Sequence, residues 1–200
     1  QITAVGVKEN SKQQMKKWFP GTEIILCGYT GLEGTLRLVE EAEADLRTRF
    51  TPSFIEKTKR CKESLILPEQ ILKLPEEAKS RQCGDGGVLC GLWELAEAEK
   101  TGFEIDFSKL ALKQETVEIC EFFQLNPYLL TSVGSYLVLT EHGEETLESL
   151  KNAGVPAVRI GFVKEQNART LVNGEETRYL DRPAPDELSR WWKERKESEE

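Results

Sequence analysis

Short apolar runs recur along this chain, and stretches of helical period separate them. Residues Ile2 to Val7, Glu23 to Tyr29 (EIILCGY), Phe103 to Phe107 (FEIDF), Ser135 to Thr140 (SYLVLT) and Val155 to Val163 each have the length and apolar character of a strand. Strands interleaved with helices point to a sheet covered by helices. Near the end, Ala168 to Val172 and Glu176 to Leu180 flank Asn173-Gly174, a strong two-residue hairpin signal. A hairpin is antiparallel, so the sheet is expected to be mixed and the fold class α/β, or α+β.

The intervening segments predict helices. Thr35 to Arg49 places Leu36, Val39, Ala42 and Leu46 on one face. Thr51-Pro52-Ser53 is a helix start, with Thr capping and Pro in the first turn, and a helix to about Lys62 follows. Pro68 and Pro75 bracket another helical stretch. Gly86 to Lys100 carries a stripe of Val88, Leu89, Leu92, Leu95 and Ala96. Lys113 to Phe123 turns Val117, Ile119, Cys120 and Phe123 inward, and Gly143 to Ala153 is helical. A last helix from Pro185 to about Lys196 is expected to dock on the sheet through Leu188, Trp191 and Trp192.

A chain of 200 residues with 38% hydrophobic content can bury the core of one α/β domain. The net charge of −8 argues against a general nucleic-acid or anionic-membrane binder. Two basic clusters, Lys12, Lys16 and Lys17, then Lys57, Lys59, Arg60 and Lys62, fit solvated helix faces. The five cysteines are odd in number and lack CxxC spacing, which points to a reducing, cytoplasmic setting and argues against a zinc site. His142 is the only histidine, so histidine-based triads and metal sites are nearly excluded. No apolar run reaches the ~20 residues of a membrane helix, and no signal peptide is evident. The chain opens on Gln1 in strand pattern, as a piece of a longer protein would.

The densest chemical signal is Arg81-Gln82-Cys83-Gly84-Asp85-Gly86-Gly87, a glycine-rich turn with one acid running into a helix. Such a turn can aim backbone N–H groups and the positive end of a helix at an anion. It can equally be a tight strand-to-helix turn capped by Asp85, or Asp85 can help place Mg²⁺ through water. Gly28, Gly31, Glu33 and Gly34 form either a cleft-facing loop or a simple turn, and Ser132 with Gly134 either a substrate-side turn or a helix-to-strand connection. Cys83 lies where helix-end amides lower a thiol pKa, but a nucleophile needs a base and His142 is the only histidine. Cys27, Cys90 and Cys120 sit in apolar patterns and are expected in the core.

These segments resemble, in order and spacing, the C-terminal domain of the aminoimidazole ribonucleotide (AIR) synthetase superfamily. The likeness runs through Pro20-Gly21-Thr22-Glu23-Ile24-Ile25-Leu26-Cys27-Gly28, Gly31-Leu32-Glu33-Gly34-Thr35, Gly84 to Gly87 with the helix ending Glu94-Leu95-Ala96-Glu97, and Phe103-Glu104-Ile105-Asp106. It continues through Leu125-Asn126-Pro127-Tyr128, Thr131-Ser132-Val133-Gly134 and Gly154-Val155-Pro156-Ala157. Within it the segments resemble the branch of AIR synthase-related proteins allied to the hydrogenase-maturation dehydratase HypE. The resemblance implies a three-layer α/β/α sandwich with a mixed sheet. Residues 1–22 would be a strand and linker from an absent N-terminal ATP-binding domain, 23–182 the AIR synthetase-like domain, and 183–200 a final helix and acidic tail. ATP and Mg²⁺ are implied for the whole protein, held mostly by that absent domain, which usually makes a homodimer. The substrate would be a small molecule or a protein, and Gly84, Asp85, Gly86, Gly87, Glu33, Gly34, Ser132 and Gly134 would face it or its phosphate. Two departures stand out. Many relatives carry a His-Asp pair where Arg81 and Gln82 stand, so the resemblance leaves the catalytic residues unassigned. No cysteine follows Cys120, so chemistry on a C-terminal cysteine is not expected. The alternative is a binding or maturation-accessory module that keeps the fold without the chemistry.

Overall fold

A computed structural model describes residues 18–199. The expected strand at Ile2 to Val7 and the basic cluster Lys12, Lys16 and Lys17 lie outside the described residues.

In chain order the elements are β1 (Glu23–Cys27), α1 (Leu32–Glu41), α2 (Glu43–Leu46), α3 (Pro52–Arg60), α4 (Pro68–Ile71), β2 (Lys79–Gln82), α5 (Gly87–Glu99), β3 (Gly102–Asp106), α6 (Gln114–Phe123), β4 (Tyr136–Thr140), α7 (Gly143–Asn152), β5 (Ala157–Lys164), β6 (Arg169–Asn173), β7 (Glu176–Tyr179) and α8 (Glu187–Glu199). The strands form one seven-stranded sheet in the order β2-β4-β1-β5-β3-β6-β7. All neighbours pair antiparallel except β3 with β6, so the sheet is mixed, as expected.

Alternation along the central strands sends successive side chains to opposite faces. Ile24, Leu26, Leu137, Leu139, Phe103 and Ile105 meet Val88, Leu92, Leu95 and Ala96 of α5. On the other face Ile25, Cys27, Tyr136 and Val138 meet Ile66, Ile71, Leu150 and Val155, which brings α4 and α7 against the sheet. The result is the helix–sheet–helix layering the resemblance implied. A third apolar cluster is helical: Leu38, Val39, Ala42, Leu46, Ile55, Ile119, Cys120, Leu130, Leu188 and Trp191 join α1, α2, α3, α6 and α8.

Several expectations are corrected. The helix expected over Thr35 to Arg49 is α1 and α2, divided at Ala42, whose backbone (φ −124°, ψ 30°) leaves the helical region. Leu36 is only half-buried, while Leu38 and Val39 carry the contact. The stretch between Pro68 and Pro75 forms a single turn, α4. β2 carries no apolar alternation and was not expected; it is an edge strand paired only with β4, where Lys and Arg side chains discourage further strand addition. Val117 points outward at 37% exposure, and the buried stripe of α6 runs through Thr116, Ile119 and Cys120. The hairpin turn falls one residue later than expected: Asn173 still pairs with Glu176, and Gly174, at φ 60°, takes the first corner. Trp191 and Trp192 dock α8 on the helical cluster, not on the sheet. Thr51 does cap α3, accepting from the Phe54 N–H at 3.3 Å, with Pro52 in the first turn.

Candidate functional site

Strand directions gather the predicted site residues at one end of the sheet. Cys27, at the end of β1, pairs with Tyr136, at the start of β4, and Gln82, at the end of β2, pairs with the same Tyr136. The loops after β1 and β2 and the loop before β4 therefore share one edge. Ser132 ties them together. Its Oγ accepts the Gly31 N–H at 2.8 Å and donates to the Leu130 carbonyl at 2.9 Å, while its N–H donates to the Gly84 carbonyl at 3.1 Å. The side chain is fully buried. With its hydroxyl engaged as donor and acceptor, Ser132 is a linchpin of the loops and does not point at a guest.

Glu33 and Gly34 are bound into the same knot. The Gly34 N–H donates to the Thr131 carbonyl at 3.1 Å, and the Thr131 hydroxyl donates to Glu33 Oε2 at 3.1 Å. Glu33 also pairs with Arg37 one turn on. Gly34 packs against Leu130, whose side chain occupies the space a Cβ would take. The Gly134 carbonyl accepts from the Ile66 N–H at 3.0 Å, so this glycine faces the segment before α4.

The glycine turn has an open and a closed half. Gly84 is half-buried with open space where a Cβ would be, and Asp85 is exposed, with no hydrogen bond or ion pair among the described residues. Gly86 and Gly87 are buried. A Cβ at Gly87 would lie 2.5 Å from the Tyr128 carbonyl oxygen, so the turn presses directly on the loop after α6. The amides that open α5 already have acceptors: Gly87 N–H donates to the Gly84 carbonyl at 3.1 Å, Leu89 N–H to the Tyr128 carbonyl at 3.2 Å, and Gly86 N–H to Asp186 Oδ2 at 2.8 Å. Asp85 does not cap the helix; a carboxylate 100 residues away fills that place.

Asp186 was not singled out from the sequence. Half of its role was legible, because an Asp ahead of an amphipathic helix is a cap signal, and its Oδ1 does accept from Leu188 N–H at 2.9 Å and Ser189 N–H at 3.1 Å. Its contact with Gly86 follows only from the fold.

Beside the turn lies a cleft of about 630 Å³, walled by the outer face of α5, β2 and the segment after β7. Arg81, Trp93, Glu94 and Arg182 are among its lining residues, and Cys90 links it to the turn, since a Cβ on Gly86 would touch Cys90 Cβ at 2.7 Å. Arg81 pairs with Glu94, and Gln82 Nε2 donates to the Tyr136 hydroxyl at 3.1 Å, so both side chains are held in structural contacts. The Arg169 guanidinium stacks 4.0 Å over the Trp93 ring and pairs with Glu97.

Burial pushes the Cys83 thiol up to about 12, which removes it as a nucleophile near neutral pH. Cys27 and Cys120 are buried core residues raised in the same way, whereas Cys90 is only half-buried at the cleft. His142 is exposed ahead of α7. Of the second basic cluster, Lys57 pairs with Glu115 and Lys59 with Glu43 and Glu56. Among the described residues, no group of three or more His, Cys, Asp or Glu could hold a metal ion, and no helix is long and apolar enough to cross a membrane. The described residues therefore build no Mg²⁺ cage, and with the Gly86 amide already bonded to Asp186 the turn as it stands does not fit a nucleotide phosphate.

Comparison with solved structures gives the same fold. HypE in a HypE–HypF complex is 26% identical, with 84% of this chain and 55% of that chain covered and a TM-score of 0.64. HypE from E. coli is 23% identical, over 88% of this chain and 54% of that one, at a TM-score of 0.67. HypE in complex with ATP is 18% identical, over 88% and 54%, at 0.62. The chain thus spans about half the length of these neighbours. Curated protein sequences give no match. A sequence model described as AIR synthase related protein, C-terminal domain, matches residues 20–172, and with that match over most of its length the chain belongs to this family.

Proposed function

We propose that this chain is the substrate- or phosphate-side half of an ATP-dependent, AIR synthetase-like enzyme of the hydrogenase-maturation type, and that it is inactive alone. The observation that carries this reading is the convergence of three glycine-bearing loops at one end of the sheet around Ser132, next to a cleft along the outer face of α5. The neighbours support it: one HypE structure holds ATP and another is a complex with HypF. ATP and Mg²⁺ would be held mainly by an N-terminal ATP-binding half, since no group of three or more His, Cys, Asp or Glu among the described residues could hold a metal ion. Gly84, Asp85, Gly86, Gly87, Glu33, Gly34, Ser132 and Gly134 would form or brace the wall facing that half, with Gly84 and Asp85 the exposed members. The partners would be that half, a second copy of the protein, and a small-molecule or protein substrate, in the cytoplasm.

A second reading, a binding or maturation-accessory module without chemistry, is favoured by one observation. Arg81 and Gln82 stand in place of an acid and are locked to Glu94 and Tyr136. The test is ATP hydrolysis and nucleotide binding with Mg²⁺, measured on the chain alone and joined to an N-terminal ATP-binding half. Turnover only in the joined protein is the expected result. Nucleotide binding without turnover would favour the accessory module, and neither binding nor turnover would overturn the enzyme reading.

A further inference from the structure

We infer that β7 is a self-association edge, at which two copies of this chain pair their β7 strands antiparallel about a two-fold axis through Thr177. The inference goes beyond the enzyme reading, because the contact is made by this chain's own strand and needs no N-terminal half. β7 closes the sheet and is hydrogen-bonded to β6 on one side only. All four of its residues are exposed, Tyr179 at 72%, and it lies beyond residues 20–172, the part matched by the family. In an antiparallel ladder, residues that exchange bonds with the neighbouring strand alternate with residues that do not. The Leu180 N–H donates to the Arg169 carbonyl at 2.8 Å, its direct partner when the β6–β7 register is continued, so Arg178 and Glu176 are the residues bonded to β6. Thr177 and Tyr179 therefore turn their backbone N–H and C=O groups to the outer edge, where another strand can add.

The side chains select the occupant. Glu176 and Arg178 lie on one face of β7, joined at 2.8 Å and exposed. With two strands centred on Thr177, each Thr177 exchanges backbone hydrogen bonds with the partner's Thr177, and Glu176 stands opposite the partner's Arg178 on both sides of the axis. That pair falls at a non-hydrogen-bonded position, where facing side chains are closest. Each Tyr179 is then diagonal to the partner's Thr177, within reach of its aromatic ring. Shifting the axis by one residue either way sets Glu176 against the partner's Glu176 or Arg178 against the partner's Arg178, and like charges directly opposite destabilise a pair of strands. A second copy in the Thr177 register satisfies both the backbone and the charges, as a two-fold contact must. The other sheet edge, β2, offers no such match: its charged residues are Lys79 and Arg81, both cationic and already paired with Glu99 and Glu94. A four-residue strand buries little area, so the association is weak and reversible.

The test is sedimentation equilibrium of the whole chain over a concentration series, for the wild type, Glu176→Arg, Arg178→Glu, an equimolar mixture of those two variants, and the double exchange Glu176→Arg with Arg178→Glu. Both positions are exposed, and unchanged far-ultraviolet circular dichroism would show that every variant keeps the fold. Each single variant sets like charges across the axis. The mixture restores both opposite-charge pairs in a heterodimer, and the double exchange restores them between identical chains. The expected result is a reversible wild-type dimer, a dissociation constant at least about tenfold higher in each single variant, and recovery in the mixture and the double exchange. A wild type that stays monomeric up to about 1 mM would overturn the inference. Equal dimerisation in all five samples would do the same and move the second copy to another surface. Loss in the single variants without recovery in the mixture or the double exchange would sink the Thr177 register, and the inference with it.

Discussion

A methyl group at Gly87 has nowhere to go: its carbon would lie 2.5 Å from the Tyr128 carbonyl oxygen and 2.7 Å from that of Leu130, on a backbone at φ 65°. Neither backbone oxygen can rotate away, so overpacking and left-handed strain add. Gly174 has a similar φ of 60° but open space around it. Gly87→Ala is therefore expected to cost about 3 kcal/mol or more and Gly174→Ala about 1 kcal/mol, read from urea unfolding midpoints at constant slope. Equal losses would mean that the conformation, not the contact with the loop after α6, sets the requirement for glycine. The sequence marks both glycines equally, because local turn chemistry is all that adjacent residues encode. The distinction comes from Tyr128 and Leu130, some 40 positions on. The same limit hid the partner of the turn: Asp85 is the acid that local reasoning offers as a cap, yet the carboxylate on Gly86 belongs to Asp186.

Elements were legible where an apolar period specified them and illegible where a neighbour did. β1, β3, β4 and α5 lie near their expected places because burial demands alternation or a stripe. β2, with the sequence KSRQ, is a strand only because β4 offers it an edge. α8 was foreseen as a helix, but the surface it covers is the cluster of α1, α3 and α6, which no period within α8 reveals. Between elements, α3 and α6 are joined by Lys57 and Glu115 at 2.7 Å, and the Glu115 side chain is nearly sealed while Lys57 is largely exposed. The hydrogen bond from Lys57, set against burial, leaves the Glu115 carboxyl below its ordinary value of 4.5. A lowered folded pKa means that the stabilisation is complete above the unfolded value and is lost as pH falls through the folded one. The Lys57 ammonium is raised above 10.5, chiefly by the same hydrogen bond, so its share persists through neutral pH and fades only in strong base. Glu115→Gln is expected to lower the melting temperature at pH 7 and to narrow the gap to wild type as pH drops below about 4. A gap that stays constant down to pH 3 would show that packing, not charge, holds this contact. Added salt should shrink the gap at pH 7 only partly, because one partner is buried.

At the scale of the whole molecule the question is whether the helical cluster is a separate folding unit. It has its own apolar interior, and α8 returns to it from the far end of the chain. The structure binds it to the sheet through the chain at Leu130 and through polar contacts. Leu130 belongs to the helical cluster while the loop it starts leads into β4, and Gly34 of α1 packs on that same Leu130. Ser132 links the head of α1 to the glycine turn ahead of α5. Asp186 caps α8 with one oxygen and holds the Gly86 amide with the other. Separating the two bodies would expose these polar groups unpaired, each at about 1–3 kcal/mol, as well as the side of Leu130. The tryptophans report on the two bodies separately, since Trp18 and Trp93 lie with the sheet and Trp191 and Trp192 with the helices. Variants that keep only one pair, the other replaced by Phe, should unfold in urea at coincident midpoints that also match far-ultraviolet circular dichroism. If the Trp191 and Trp192 signal is lost at lower urea than the sheet signal, the helical cluster opens on its own.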